Sequence, residues 1–129
     1  MGLFDSTAAR RRRTAHHEAR HIVVARHLGA TDLEGHVSPD GASGYFTGDF
    51  DGSREQEAVI LLAGGGTTSN RAHADTLPHG GDSDLTQARR LLADSDMTMR
   101  DAEREAARMV RRHADEISRA AQDLLGDTS

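Results

Sequence analysis

The stretch from Ala15 to Leu28, AHHEARHIVVARHL, constrains this chain more than any other. It follows an Ala- and Arg-rich run from Thr7 with high helix propensity, which Asp5 or Ser6 can cap. Gly29 is a natural left-handed stop, so the sequence predicts one helix from Thr7 to Leu28. At about 100° per residue from His17, His21 falls near 40°, Val24 near 340° and Leu28 near 20°. One face therefore begins with two imidazoles and continues as aliphatic side chains. Ile22, Val23 and Ala25 are apolar on the other faces, so the last two turns are expected to be buried nearly all round.

The chain of 129 residues is the size of one domain, and residues 1–129 are read as such, with 1–6 and 127–129 flexible. It has no cysteine, which removes disulfides, thiolate nucleophiles and every Cys-ligated metal site. All 16 of its basic residues are arginines, against 21 acids, for a net charge of −5. Six arginines face only Asp5 and Glu18 in the first 30 residues, whereas residues 31–96 are strongly acidic. A nucleic-acid binder shows the opposite balance and aromatic platforms, and here there are three Phe and one Tyr. The Arg10–Arg13 run is read as the solvated start of the first helix. No apolar run approaches the roughly 18 residues of a membrane span, and the N-terminus lacks a signal core, so a cytoplasmic protein is expected.

After the helix come two short extended segments, Leu33–Ser38 and Ser43–Thr47, with Pro39-Asp40-Gly41 as the turn of a hairpin or meander. Ser53 starts a second helix, with Gln56 placed to complete a capping box, and Ala58–Ala63 is a continuous apolar run that makes this helix buried. Gly64-Gly65-Gly66 weakens or ends it, and Thr67–His73 can resume it. Asp82 or Ser83 caps a third helix running to about Ala93. Thr98 with Asp101 caps a last helix to Leu125, whose stripe Ala102, Ala106, Met109, His113, Ile117, Ala120 and Leu124 reads as core packing. The fold class is mainly α with a small β hairpin.

The chemistry lies in His17-Glu18-Ala19-Arg20-His21. Histidines four apart on a helix stand one turn above each other and can reach one zinc ion, while the intervening Glu can take a proton from a metal-bound water. A catalytic zinc usually has three protein ligands. His27, ten residues after His17, falls near 280° on the continuing helix, the wrong side. Asp84, in the first turn of the third helix, is a better third ligand, and spacing leaves Asp82, Asp75, His73 and His79 open beside it.

Taken in order, these motifs resemble the zinc peptidase domain of the membrane-bound AAA proteases, the FtsH family (peptidase family M41). Residues 15–25 resemble its zinc helix, HEAGHALVA. Asp40-Gly41-Ala42-Ser43-Gly44-Tyr45 resembles its glycine–aromatic strand, Ile60–Gly65 its LLGGR helix, and Gly81–Ala88 its segment GASNDLQQAT. The resemblance spans about residues 14–124 and implies a zincin-like fold. It also implies one Zn2+ per chain on His17, His21 and Asp84, with Glu18 as general base. Arg20 stands where the family has glycine, and the Glu usual after the central helix is absent. These residues hold no nucleotide-binding module or membrane segment, so ATP-independent cleavage of peptides or unfolded polypeptides is expected. A separate ATPase or a homo-oligomer remains open as partner. Ser43–Thr47 is expected to be the edge strand that holds an extended substrate.

Overall fold

The computed structural model describes residues 6–64 and 83–126. Its elements, in chain order, are α1 (Thr7–His27), β1 (Thr31–Val37), β2 (Gly44–Asp49), α2 (Arg54–Leu62), α3 (Asp84–Leu92), α4 (Met99–Arg112) and α5 (Ala114–Leu124). The described part is thus mainly α-helical with one small antiparallel hairpin. No helix among the described residues is long and apolar enough to cross a membrane.

Helix α1 is central. Ser6 caps it by accepting from the Ala9 amide at 3.0 Å, and Gly29 leaves it in the left-handed region at φ 103°. Between His17 and Ala25 every residue is buried except Arg20, which is half-buried. Val24 and Ala25 belong to one apolar cluster with α2, α3 and α4, while Ala15, Ala19 and Val23 belong to a second cluster with α5. A helix that feeds two cores on different faces has little surface left for solvent, which accounts for its all-round apolarity.

The hairpin pairs Val37 with Gly44, His36 with Tyr45 and Gly35 with Phe46, and its register shifts between Thr31 and Glu34. Two strands alone are marginal, and helices support these. A Cβ on Gly35 would come within 2.7 Å of Leu124 and 2.8 Å of Ile22, so glycine lets the sheet lie against α5 and α1. The turn docks on the start of α1. Thr14 Oγ1 donates to the Gly41 carbonyl at 2.7 Å, Arg10 Nε to the Asp40 carbonyl at 3.2 Å, and Arg11 Nε to the Ser38 carbonyl at 3.3 Å. The arginine run is therefore more than a solvated helix start, since two of its members clamp the hairpin turn.

The capping box of α2 forms as its sequence indicates. The Gln56 amide donates to Ser53 Oγ, the Ser53 amide to Gln56 Oε1, and Ala58–Leu62 are all buried. Ser83 caps α3 by accepting from the Thr86 amide at 3.1 Å. The last helix differs from expectation. Thr98 and Asp101 form the capping box, but the chain turns at His113 (φ −111°, ψ 28°) and splits into α4 and α5. The reason lies in the partners. Ala102, Ala106 and Met109 pack into the α2 side of the core, whereas Ile117 and Ala121 pack on Ala15, Ala19 and Val23 of α1. A straight helix would not reach both clusters. His113 is half-exposed at the corner and not part of a continuous buried stripe.

Candidate metal centre

His17 and His21 lie on the buried face of α1, one turn apart, with their rings edge-on at 4.7 Å. Each Nδ1 meets a backbone carbonyl at or just past the end of α2: His17 Nδ1 the Gly64 oxygen at 2.8 Å, and His21 Nδ1 the Ile60 oxygen at 2.7 Å. A carbonyl oxygen only accepts, so each Nδ1 carries the proton and donates it. The chemistry thereby assigns both tautomers. In the neutral rings each Nε2 then presents a lone pair, and the two Nε2 atoms stand 3.2 Å apart. Two lone pairs at that distance repel unless a proton or a metal ion stands between or beside them.

Asp84 completes the cluster. As the first residue of α3, and fully buried, it places Oδ2 3.2 Å from His21 Nε2 and 3.8 Å from His17 Nε2. Donors about 2.0–2.1 Å from a tetrahedral ion lie roughly 3.3 Å from one another. The three observed separations of 3.2, 3.2 and 3.8 Å bracket that spacing. The set of two imidazoles and a carboxylate is one that zinc accepts. Burial pushes the His21 imidazole toward its neutral form. The hydrogen bond and charge of Asp84, with the charge of Glu18 and the Ile60 carbonyl, outweigh it and raise its pKa. The site favours positive charge at this point.

The glycine after α2 gives the centre its room. A Cβ on Gly64 would lie 2.6 Å from His17 Cε1 and 2.8 Å from His21 Cε1, and would run into His21 Nε2. Only a residue without a side chain lets the carbonyl reach His17 there. Arg20 Nη1 donates to the same Gly64 oxygen at 3.4 Å. It thus helps hold the carbonyl that orients His17, an arrangement of the kind that tunes metal ligands from outside. Phe46 of β2 stacks on the other side, its ring 4.9 Å from that of His21 and 14° from parallel. Glu18, only 1% exposed, faces the start of β2: a Cβ on Gly44 would stand 3.2 Å from Glu18 Cγ.

Of the residues singled out from sequence, the structure brings His17, His21 and Asp84 into one buried group. His27 lies apart at the exposed end of α1, bonded to Glu116. Asp82, Asp75, His73 and His79, and the proposed resumption of helix over Thr67–His73, lie outside the described residues. Sequence reasoning misses Phe46 and the carbonyls of Ile60 and Gly64 as parts of the centre. The glycine run after an apolar helix is the available signal, but as a helix breaker and as a match to LLGGR over Ile60–Gly65 it does not say which side chains it faces. Compared with models of known families, with curated proteins and with solved structures, the chain gives no match.

Proposed function

We propose that this protein is a zinc-dependent endopeptidase of the M41 type, with one Zn2+ on His17, His21 and Asp84, acting on peptides or unfolded polypeptides without ATP. The observation that carries the reading is the convergence of His17 Nε2, His21 Nε2 and Asp84 Oδ2 while both Nδ1 atoms are committed to carbonyls. Metal-ligating histidines are typically oriented in this way. When bound, zinc supplies a Lewis acid and lowers the pKa of water toward 7. Glu18, next to the first ligand, takes the proton of the attacking water and delivers it to the leaving amine. Strand β2 is the element suited to hold an extended peptide by main-chain hydrogen bonds. It begins at Gly44, beside Glu18.

One observation favours a second reading. His21 and Asp84 are 0% exposed and Glu18 is 1% exposed, which suits a metal held for structure or for partner binding without hydrolysis. Zinc content and cleavage of an unstructured fluorogenic peptide, measured on wild type, Glu18→Gln and Asp84→Ala, separate the two. The peptidase reading expects about one zinc in wild type and Glu18→Gln, a sharp loss in Asp84→Ala, and cleavage reduced about 10²–10⁴-fold by Glu18→Gln. Zinc without Glu18-dependent cleavage selects the second reading. Failure to take up zinc after reconstitution sinks both.

A further inference from the structure

A second group of ligating side chains stands 10 residues further along α1, on the surface. His27 at the end of α1, His113 at the corner between α4 and α5, and Glu116 in the first turn of α5 bring their ligand atoms within 4.8 Å of one another. His27 Nε2 is 2.8 Å from Glu116 Oε1, and Arg26 Nη1 donates to Glu116 Oε2 at 2.8 Å. The His27 and His113 rings stack at 3.7 Å, 15° from parallel. The hydrogen bond from His27, helped by Arg26, holds the Glu116 carboxyl below the usual carboxylate range. Unlike the buried centre, this group faces solvent, with the His27 side chain 37% and that of Glu116 27% exposed.

We propose that His27, His113 and Glu116 form a second site for a borderline divalent transition metal such as Zn2+, Ni2+ or Cu2+, tying the end of α1 to the α4–α5 corner. Two imidazoles with one carboxylate select such ions over Mg2+ and Ca2+, which prefer all-oxygen sites. Binding balances as an exchange: the ion takes the place of the proton between His27 Nε2 and Glu116 Oε1, and the ring carries its one proton on Nδ1, so an imidazolium releases a proton to solvent while a neutral ring only changes tautomer. The donors lie within 4.8 Å, against roughly 3.3 Å around a tetrahedral ion, and rotation of the half-exposed His113 ring closes the difference. The carbonyl end of α1 favours a cation here. Arg26 opposes one, so this site is weaker than a buried centre.

The test uses the full chain already loaded with zinc. Further Zn2+ is added in a calorimeter and, in parallel, while the histidine side-chain nitrogen resonances are followed. A second, weaker equivalent is expected, moving His27 and His113 and leaving His17 and His21 in place, with no response to Mg2+. His113→Ala should abolish it. Because His113 sits at a helix corner, Glu116→Gln provides the same loss without disturbing the turn. Arg26→Ala should tighten binding about two- to fivefold, the size of an exposed ion pair. The proposal is overturned if no second equivalent binds up to millimolar zinc, or if one binds and survives both His113→Ala and Glu116→Gln. If the buried centre holds no zinc, the first equivalent is missing while the His27 and His113 signals still respond, so the two readings fail separately.

Discussion

Replacing Gly64 by Ala tests the centre with a single methyl group. The φ of Gly64 lies outside the left-handed region, so the backbone accepts alanine, and the loss of glycine entropy alone would stabilise by about 0.5–1 kcal/mol. The methyl, however, has no space: it would sit 2.6 Å from His17 Cε1 and 2.8 Å from His21 Cε1, with His21 Nε2 nearer still. Overpacking of this kind costs about 1–3 kcal/mol, so the metal-free variant is expected to be from near-neutral to roughly 2.5 kcal/mol less stable than wild type. The larger effect is on metal. For the methyl to fit, His21 must swing away from Ile60 or the Gly64 carbonyl must leave His17, and loss of such an orienting bond costs about 10–100-fold in affinity. At free zinc about 1,000 times the wild-type Kd, zinc-dependent stabilisation falls from about 4.1 to about 1.4 kcal/mol at the hundredfold end. Denaturant unfolding with and without a zinc buffer measures that difference directly. Zinc-dependent stabilisation of Gly64→Ala within 0.5 kcal/mol of wild type (about a twofold change in Kd) would refute the geometry argued for the centre.

Two further outcomes follow from the fold. Ser53→Ala removes the capping box of α2, the helix at or just past whose end both orienting carbonyls stand. It should cost about 1 kcal/mol, or roughly 3–5 °C in Tm, with zinc stoichiometry unchanged; loss of zinc with intact stability would contradict this. On the acid side, the Ala42 amide and Ser38 hydroxyl hold Asp40 below its ordinary 3.8, and the Ser95 hydroxyl holds Glu55 below 4.5. Depressed folded values mean stability that is present above those ordinary values and lost as pH falls through the folded ones. In EDTA, Tm should therefore hold from pH 7 to about 5 and drop below about 4, less steeply in Asp40→Asn/Glu55→Gln than in wild type; equal slopes would show that these two carboxyls carry no linkage.

What the sequence made legible was local. Ser6 and Gly29 bound α1, Ser53 with Gln56 opens α2, and Pro39-Asp40-Gly41 turns the hairpin, because each signal acts within four residues of where it is read. The corner at His113 was illegible for the opposite reason. An apolar stripe at three- and four-residue spacing says which face is buried and says nothing about what covers it. Its two halves are covered by different clusters. The centre shows the same division. Spacing put His17 and His21 on one face, but their tautomers depend on carbonyls 47 and 39 residues away. Spacing also left Asp84 among several rivals, which a three-dimensional approach of 3.2 Å to His21 separates from His27.

The placement of this centre ties its chemistry to the stability of the whole domain. His21, Glu18 and Asp84 rank among the largest fully enclosed side chains, the first two on α1, which links both apolar clusters, and Asp84 on α3. With Asp84 and Glu18 enclosed beside it, the His21 imidazole sits where positive charge is favoured, and a divalent ion supplies that charge. Burying uncompensated charge is expensive in a chain whose net stability is expected to be about 5–15 kcal/mol. Metal uptake by this group is therefore expected to be a folding event as well. Ligand substitutions should lower stability more in zinc than in EDTA, because they remove metal binding as well as buried contacts, whereas substitutions in the apolar clusters, such as Val59→Ala, should lower both by similar amounts.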